Sequence, residues 1–80
     1  MPKIFEENGF KFFFYSDEGD EPIHVHVLID GDEAKFWLAP VRLAFNGGMS
    51  AKSLNIAHRL TILNEKRIKD KWNEHSAKKR

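Results

Sequence analysis

His24-Val25-His26 is the one constellation in this 80-residue chain with the spacing of metal ligands or of an acid–base pair. On a strand, positions i and i+2 share a face, so the two imidazoles can converge on one group. Imidazoles titrate near neutral pH. One held protonated and one neutral would serve as general acid and base, as in a metal-independent ribonuclease. Lys35 could stabilise a phosphate beside them. His24, His26 and Lys35 are therefore the catalytic candidates. The same two histidines are the only metal candidates, and Asp20, Glu21 or His58 would have to complete the shell. His58 falls on a different element, and Pro22 intervenes between the acids and His24. No metal is assigned and no cofactor is expected. Asn46-Gly47-Gly48 precedes a helix but lacks the lysine-serine or lysine-threonine ending of a phosphate loop. No Ser/His/Asp motif context is present. On balance the sequence reads as a binding protein rather than an enzyme.

The elements that must position these residues follow from turn chemistry. Asp30-Gly31 is a two-residue hairpin signal between Ile23–Ile29 and Asp32–Leu38. Such a loop pairs Ile29 with Asp32, Leu28 with Glu33, Val27 with Ala34 and His26 with Lys35. Val25 then meets Phe36, and His24 meets Trp37. Paired residues point to one side, and sides alternate along a strand. One face therefore carries Ile23, Val25, Val27, Ile29, Ala34, Phe36 and Leu38, and is the core face. The other carries His24, His26, Leu28, Glu33, Lys35 and Trp37. Asn8-Gly9 is a second hairpin turn, joining a strand around Lys3–Glu7 to Phe10–Tyr15. There Phe10, Phe12 and Phe14 should face the core, and Phe13 and Tyr15 the opposite side. The predicted contact surface is thus His24, His26, Trp37, Lys35, Phe13 and Tyr15 on a sheet face that one helix leaves bare. Exposed aromatic patches mark interaction sites. Cover from the N-terminal strand, the acidic loop at residues 16–22 or a second copy is the competing reading.

Pro40 interrupts the sheet, and Val41–Phe45 can form one more strand. Ser50 is a helix N-cap candidate. From there to about His75, Leu54, Ala57, Leu60, Thr61, Asn64, Ile68 and Trp72 fall on one face at the helical period, and Ile56 and Leu63 widen it. The expected fold is a two-layer α+β domain spanning 1–80. Residues 1–46 form an antiparallel sheet of three to five strands. Residues 50–75 form one long helix on one face, and 76–80 a frayed basic tail.

Seven Phe, two Trp and one Tyr are a good apolar supply for a chain this short, which has no cysteine to staple it. Net charge is +1, with acids concentrated before residue 34 and bases near the end. A basic end can attract nucleic acid or an acidic partner, although a solvated helix end has the same composition. No run of residues has the length of a spanning helix, and the first residues lack a signal-peptide pattern. The expected location is the cytoplasm.

Several segments resemble the bacterial family catalogued as domain of unknown function 4160. They are Met1-Pro2-Lys3-Ile4, Glu21-Pro22-Ile23-His24-Val25-His26-Val27, Gly31-Asp32-Glu33-Ala34-Lys35-Phe36-Trp37-Leu38 and, after Asn64, Lys71-Trp72-Asn73-Glu74. The resemblance covers nearly the whole chain. The family commonly shows two prolines before the first histidine, where this chain has Pro22 and Ile23. The resemblance carries His24 and His26 over as motif residues, with Pro22 and Trp72 as structural members. It brings no activity. It implies a partner-binding module, one half of a toxin–antitoxin-like or regulatory pair. The expected partner is a second small protein or another copy of the chain. RNA binding or cleavage on the same sheet face is the alternative, with aromatics to stack bases and Lys11 and Lys35 to meet phosphates. No membrane partner is expected.

Overall fold

A computed structural model describes residues 3–15, 21–38 and 40–78, with side chains described through residue 74. The acidic segment at 16–20, including Asp20, and the basic end at 79–80 lie outside the described residues.

Five strands, β1 (Lys3–Glu7), β2 (Phe10–Phe13), β3 (His24–Ile29), β4 (Asp32–Trp37) and β5 (Arg42–Asn46), form one antiparallel sheet in the order of the chain. Two tight turns fix its register. Asn8 and Gly9 have φ of 53° and 82°, and Asp30 and Gly31 have 50° and 83°. Both pairs meet the positive-φ demand of a type I′ turn, which asparagine, aspartate and glycine tolerate best. The β3–β4 register is the one the sequence predicts, from Ile29 opposite Asp32 to His24 opposite Trp37. β2 joins it with Phe12 opposite Val27 and Phe13 opposite His26. β5 pairs with β4 through a register shift between Lys35 and Phe36.

The predicted core face is the core. Phe12, Phe14, Val25, Val27, Ala34 and Phe36 are fully buried in one cluster with Phe5, Phe10 and Leu38, and Ile23 and Ile29 pack at its margin. Phe5 and Phe12 stack with centroids 4.4 Å apart. The helical segment supplies Ala57, Leu60 and Ile68 to the same cluster, and His58 stacks on Phe36 at 5.6 Å.

The single long helix expected over 50–75 is instead two helices, α1 (Ala51–Leu63) and α2 (Glu65–Lys78). Ser50 caps α1, its Oγ accepting from the Ser53 N–H at 3.1 Å. The break is at Asn64, whose backbone leaves helical geometry at φ −110°, ψ 17°. Its amide nitrogen donates to the Leu60 carbonyl at 2.8 Å and to Glu7 Oε1 at 3.3 Å. Asparagine competes for backbone groups in this way, and so favours helix ends over helix interiors. The helical segment also runs past His75 to Lys78. Ile56 and Leu63 do not widen the buried face: both are exposed, Leu63 at 71%. They lie roughly 100° from the centre of the buried face at 100° per residue, too far to reach the sheet. Among the described residues, no helix is long and apolar enough to cross a membrane.

Candidate functional site

The sheet face opposite the core is not bare at its centre. His24 is 0% exposed, Phe13 3% and His26 6%, while Tyr15, Lys35 and Trp37 are half-buried. The expectation of an open aromatic surface is corrected here. The alternation that brings these rings to one face also lets them cover one another. Phe13 lies over His26 at 5.5 Å, and Tyr15 meets His26 edge-on at 4.4 Å. His24 meets His26 at 5.2 Å and Trp37 at 5.6 Å, both nearly perpendicular. Trp72 of α2 closes the end of the face against His24 at 5.0 Å, and reaches Phe14 of the core at 5.2 Å.

Polar groups lace these rings together. The Tyr15 hydroxyl donates to Glu33 Oε1 at 2.8 Å, and His26 Nδ1 donates to Glu33 Oε2 at 3.1 Å. One carboxylate thus fixes both a phenol and an imidazole. His24 Nδ1 donates to the Pro22 carbonyl at 2.8 Å, with Glu21 Oε1 3.7 Å away. Lys35 forms an ion pair with Glu21, and its ammonium lies 4.6 Å from the centre of the Trp37 ring. Carbonyl and carboxylate can only accept here, so both histidines carry a proton on Nδ1.

The six predicted surface residues are therefore brought together, as a packed network rather than a surface. The two imidazoles stand edge to face, with each Nδ1 committed to a hydrogen bond. Among the described residues, no group of three or more His, Asp or Glu side chains lies where it could hold a metal ion. Of the residues considered for completing a shell, Glu21 pairs with Lys35. His58 lies on the core face, 3.4 Å from the Val41 carbonyl, and Asp20 is outside the described residues.

A model of the family described as "Domain of unknown function (DUF4160)" matches residues 9–73. The chain belongs to this family. No curated protein and no solved structure matches it. The matched segment of this DUF4160 chain holds the whole Tyr15–Glu33–His26 network, His24 and Trp72.

Two features escaped the sequence reading. Alternation puts Glu33 on the correct face without giving it a role. It is diagonal to His26 across β3–β4, a separation that long side chains bridge, and that geometry could have named it as the imidazole's partner. The other feature is the outward face of α1. Ile56, Ile62 and Leu63 are exposed there, beside Lys52, Asn55 and Arg59. β5 adds exposed Leu43 and Phe45 at the sheet edge. A helical wheel drawn for leftover apolar residues, rather than for the best single face, would have found the α1 set.

Proposed function

We propose that this chain is a protein–protein interaction module, one half of a small regulatory or toxin–antitoxin-like pair, and that it meets its partner through the outward face of α1. The observation that supports this is the exposure of three aliphatic side chains, Ile56, Ile62 and Leu63, on one helix of an 80-residue chain. Clustered exposed apolar residues on a small domain mark an interaction site, whereas single ones are ordinary. On the opposite sheet face His24, His26 and Phe13 are buried, and Tyr15, Lys35 and Trp37 keep only part of their surface exposed. Ile62→Ser and Leu63→Ser test this, because neither residue contributes to the buried core. Both variants should unfold within about 0.5 kcal/mol of the parent and lose a protein that co-purifies with the parent chain. If every protein retained by the parent is retained equally by both variants, the reading fails.

A second reading, an RNA-directed activity, has its own supporting observation. Glu33 Oε2 accepts from His26 Nδ1 and so fixes the orientation of the imidazole. A carboxylate-oriented imidazole is a common arrangement for general base catalysis. Lys35 and Trp37 beside it have the chemistry to meet a phosphate and a base. This reading requires RNA cleavage that is lost in His26→Ala and weakened in Glu33→Gln. It also requires RNA affinity that falls steeply with salt. Cleavage undiminished in His26→Ala, with the variant still folded, removes it.

A further inference from the structure

The two helices meet solvent in opposite ways. α2 is laced with ion pairs along its outward side: Lys66 with Asp70, Lys69 with Glu65, and Lys71 with Glu74. α1 contains no acidic residue at all. Its exposed cations, Lys52 and Arg59, form no ion pair among the described residues. Between and beside them stand Ile56, Ile62 and Leu63, where a self-sufficient surface helix would carry polar side chains. Ile56, Leu60 and Leu63 also form one wall of a groove of about 590 Å3, whose far side is the β1–β2 turn at Glu7 and Asn8. Glu7 is the one carboxylate among the residues lining it, and Asn64 donates to it at the end where α1 stops. The cations therefore set the charge along the length of the groove.

From this juxtaposition we infer that the partner is an acidic amphipathic helix that lies along α1, with its apolar side chains in the groove and its carboxylates on Lys52 and Arg59. The inference rests on the protein-interaction reading above and names the chemistry of the partner. Lys52 and Arg59 are seven residues apart, about 10 Å along the axis at 1.5 Å per residue. Carboxylates two turns apart on a partner helix match that spacing. Apolar anchors at i, i+3 or i+4, and i+7 would match Ile56 and Leu63, the usual arrangement of a helix held in a groove. Two cations with no ion pair among the described residues, beside exposed aliphatic side chains, favour such a helix over RNA, because Ile and Leu offer bases no ring to stack on.

The probes are two synthetic amphipathic peptides of about four turns with the same leucine anchors. One carries glutamates at the flanking positions and the other lysines. Binding to the full chain is followed by fluorescence anisotropy, with oligo-uridine as a third probe and sedimentation of the chain alone as a control. The acidic peptide should bind, more weakly as salt rises. It should lose roughly tenfold or more in affinity to the Lys52→Glu/Arg59→Glu double variant. The basic peptide should bind that double variant better than it binds the parent. Leu63→Ser should weaken both peptides. Equal, salt-insensitive binding of both peptides to the parent overturns the acidic-partner inference and leaves the interaction face standing. So does self-association of the chain that Leu63→Ser abolishes, since the occupant is then a second copy. Oligo-uridine binding that the double variant abolishes, with no peptide bound, overturns the inference in favour of nucleic acid. If no probe binds and the chain stays monomeric at every concentration, both the inference and the α1 interface fall.

Discussion

The core face of the β3–β4 hairpin is buried and the outer face is covered at its centre, by different physics. On one, Val25, Val27, Ala34 and Phe36 meet phenylalanines of β1 and β2 and the aliphatic side of the helices, with no polar side chain among the sheet residues. On the other, His24 and His26 are covered by Phe13, Tyr15, Trp37 and Trp72, and held by hydrogen bonds to Glu33 and the Pro22 carbonyl. The first face derives its stability from apolar area removed from water. The second adds ring–ring contacts and charge-assisted hydrogen bonds, whose net contribution is smaller because water competes for the same groups. A small sheet can therefore cover the centre of its outer side without a second helical layer, provided that side can satisfy what it buries.

The largest effect should come from the core side. Phe36 is 1% exposed and is flanked by His58 of α1. Phe36→Ala should cost about 3–5 kcal/mol. In so small a domain that approaches the whole stability and can unfold the chain. Urea melts followed by far-ultraviolet circular dichroism would measure it. Glu33→Gln keeps the shape on the other side, but removes the charge that His26 and Tyr15 share. With the carboxylate part-exposed, the cost should be about 1 kcal/mol. A Glu33→Gln loss equal to that of Phe36→Ala would erase the distinction between the faces, because the outer network would then be as structural as the core.

This contrast also marks where the sequence stops being legible. Asp30-Gly31 and Asn8-Gly9 determine the register by local backbone chemistry, and period-two alternation then sorts every β3 and β4 side chain to the correct face. The periodicity of Leu54, Ala57, Leu60, Thr61 and Ile68 likewise finds the buried side of the helical segment. Whether a face lies open is not a property of pairing. Trp72 lies more than thirty residues from the strand end it covers, and Tyr15 lies past the last residue of β2. Alternation gives the side on which Tyr15 lies but not the ring it covers, and it says nothing of Trp72. The helix break is hidden from the periodicity for a related reason: Asn64 satisfies the 3.6-residue period, while its side chain bonds to Leu60 and Glu7. A polar residue that fits the period can still end a helix by competing for its carbonyls.

The outer face offers a finer comparison between its two ends, and the smallest expected effect. At the β1 end, Lys3 Nζ donates to Glu6 Oε1 at 2.9 Å, with both side chains exposed. That hydrogen bond and the attached charge, with a weaker pull from Lys11 opposite, hold the Glu6 carboxyl below the ordinary carboxylate range. A carboxyl lowered on folding stabilises the fold above its unfolded value, and the contribution disappears as pH falls through the lowered one. Solvent screens this exposed pair. Glu6→Gln should therefore shift the urea midpoint less than Glu33→Gln at about pH 7, and its effect should shrink as the pH falls through the lowered Glu6 value. A shift for Glu6→Gln as large as that for Glu33→Gln would mean that both ends of this face are held alike. The burial of the His26 network would then add nothing that an exposed pair lacks.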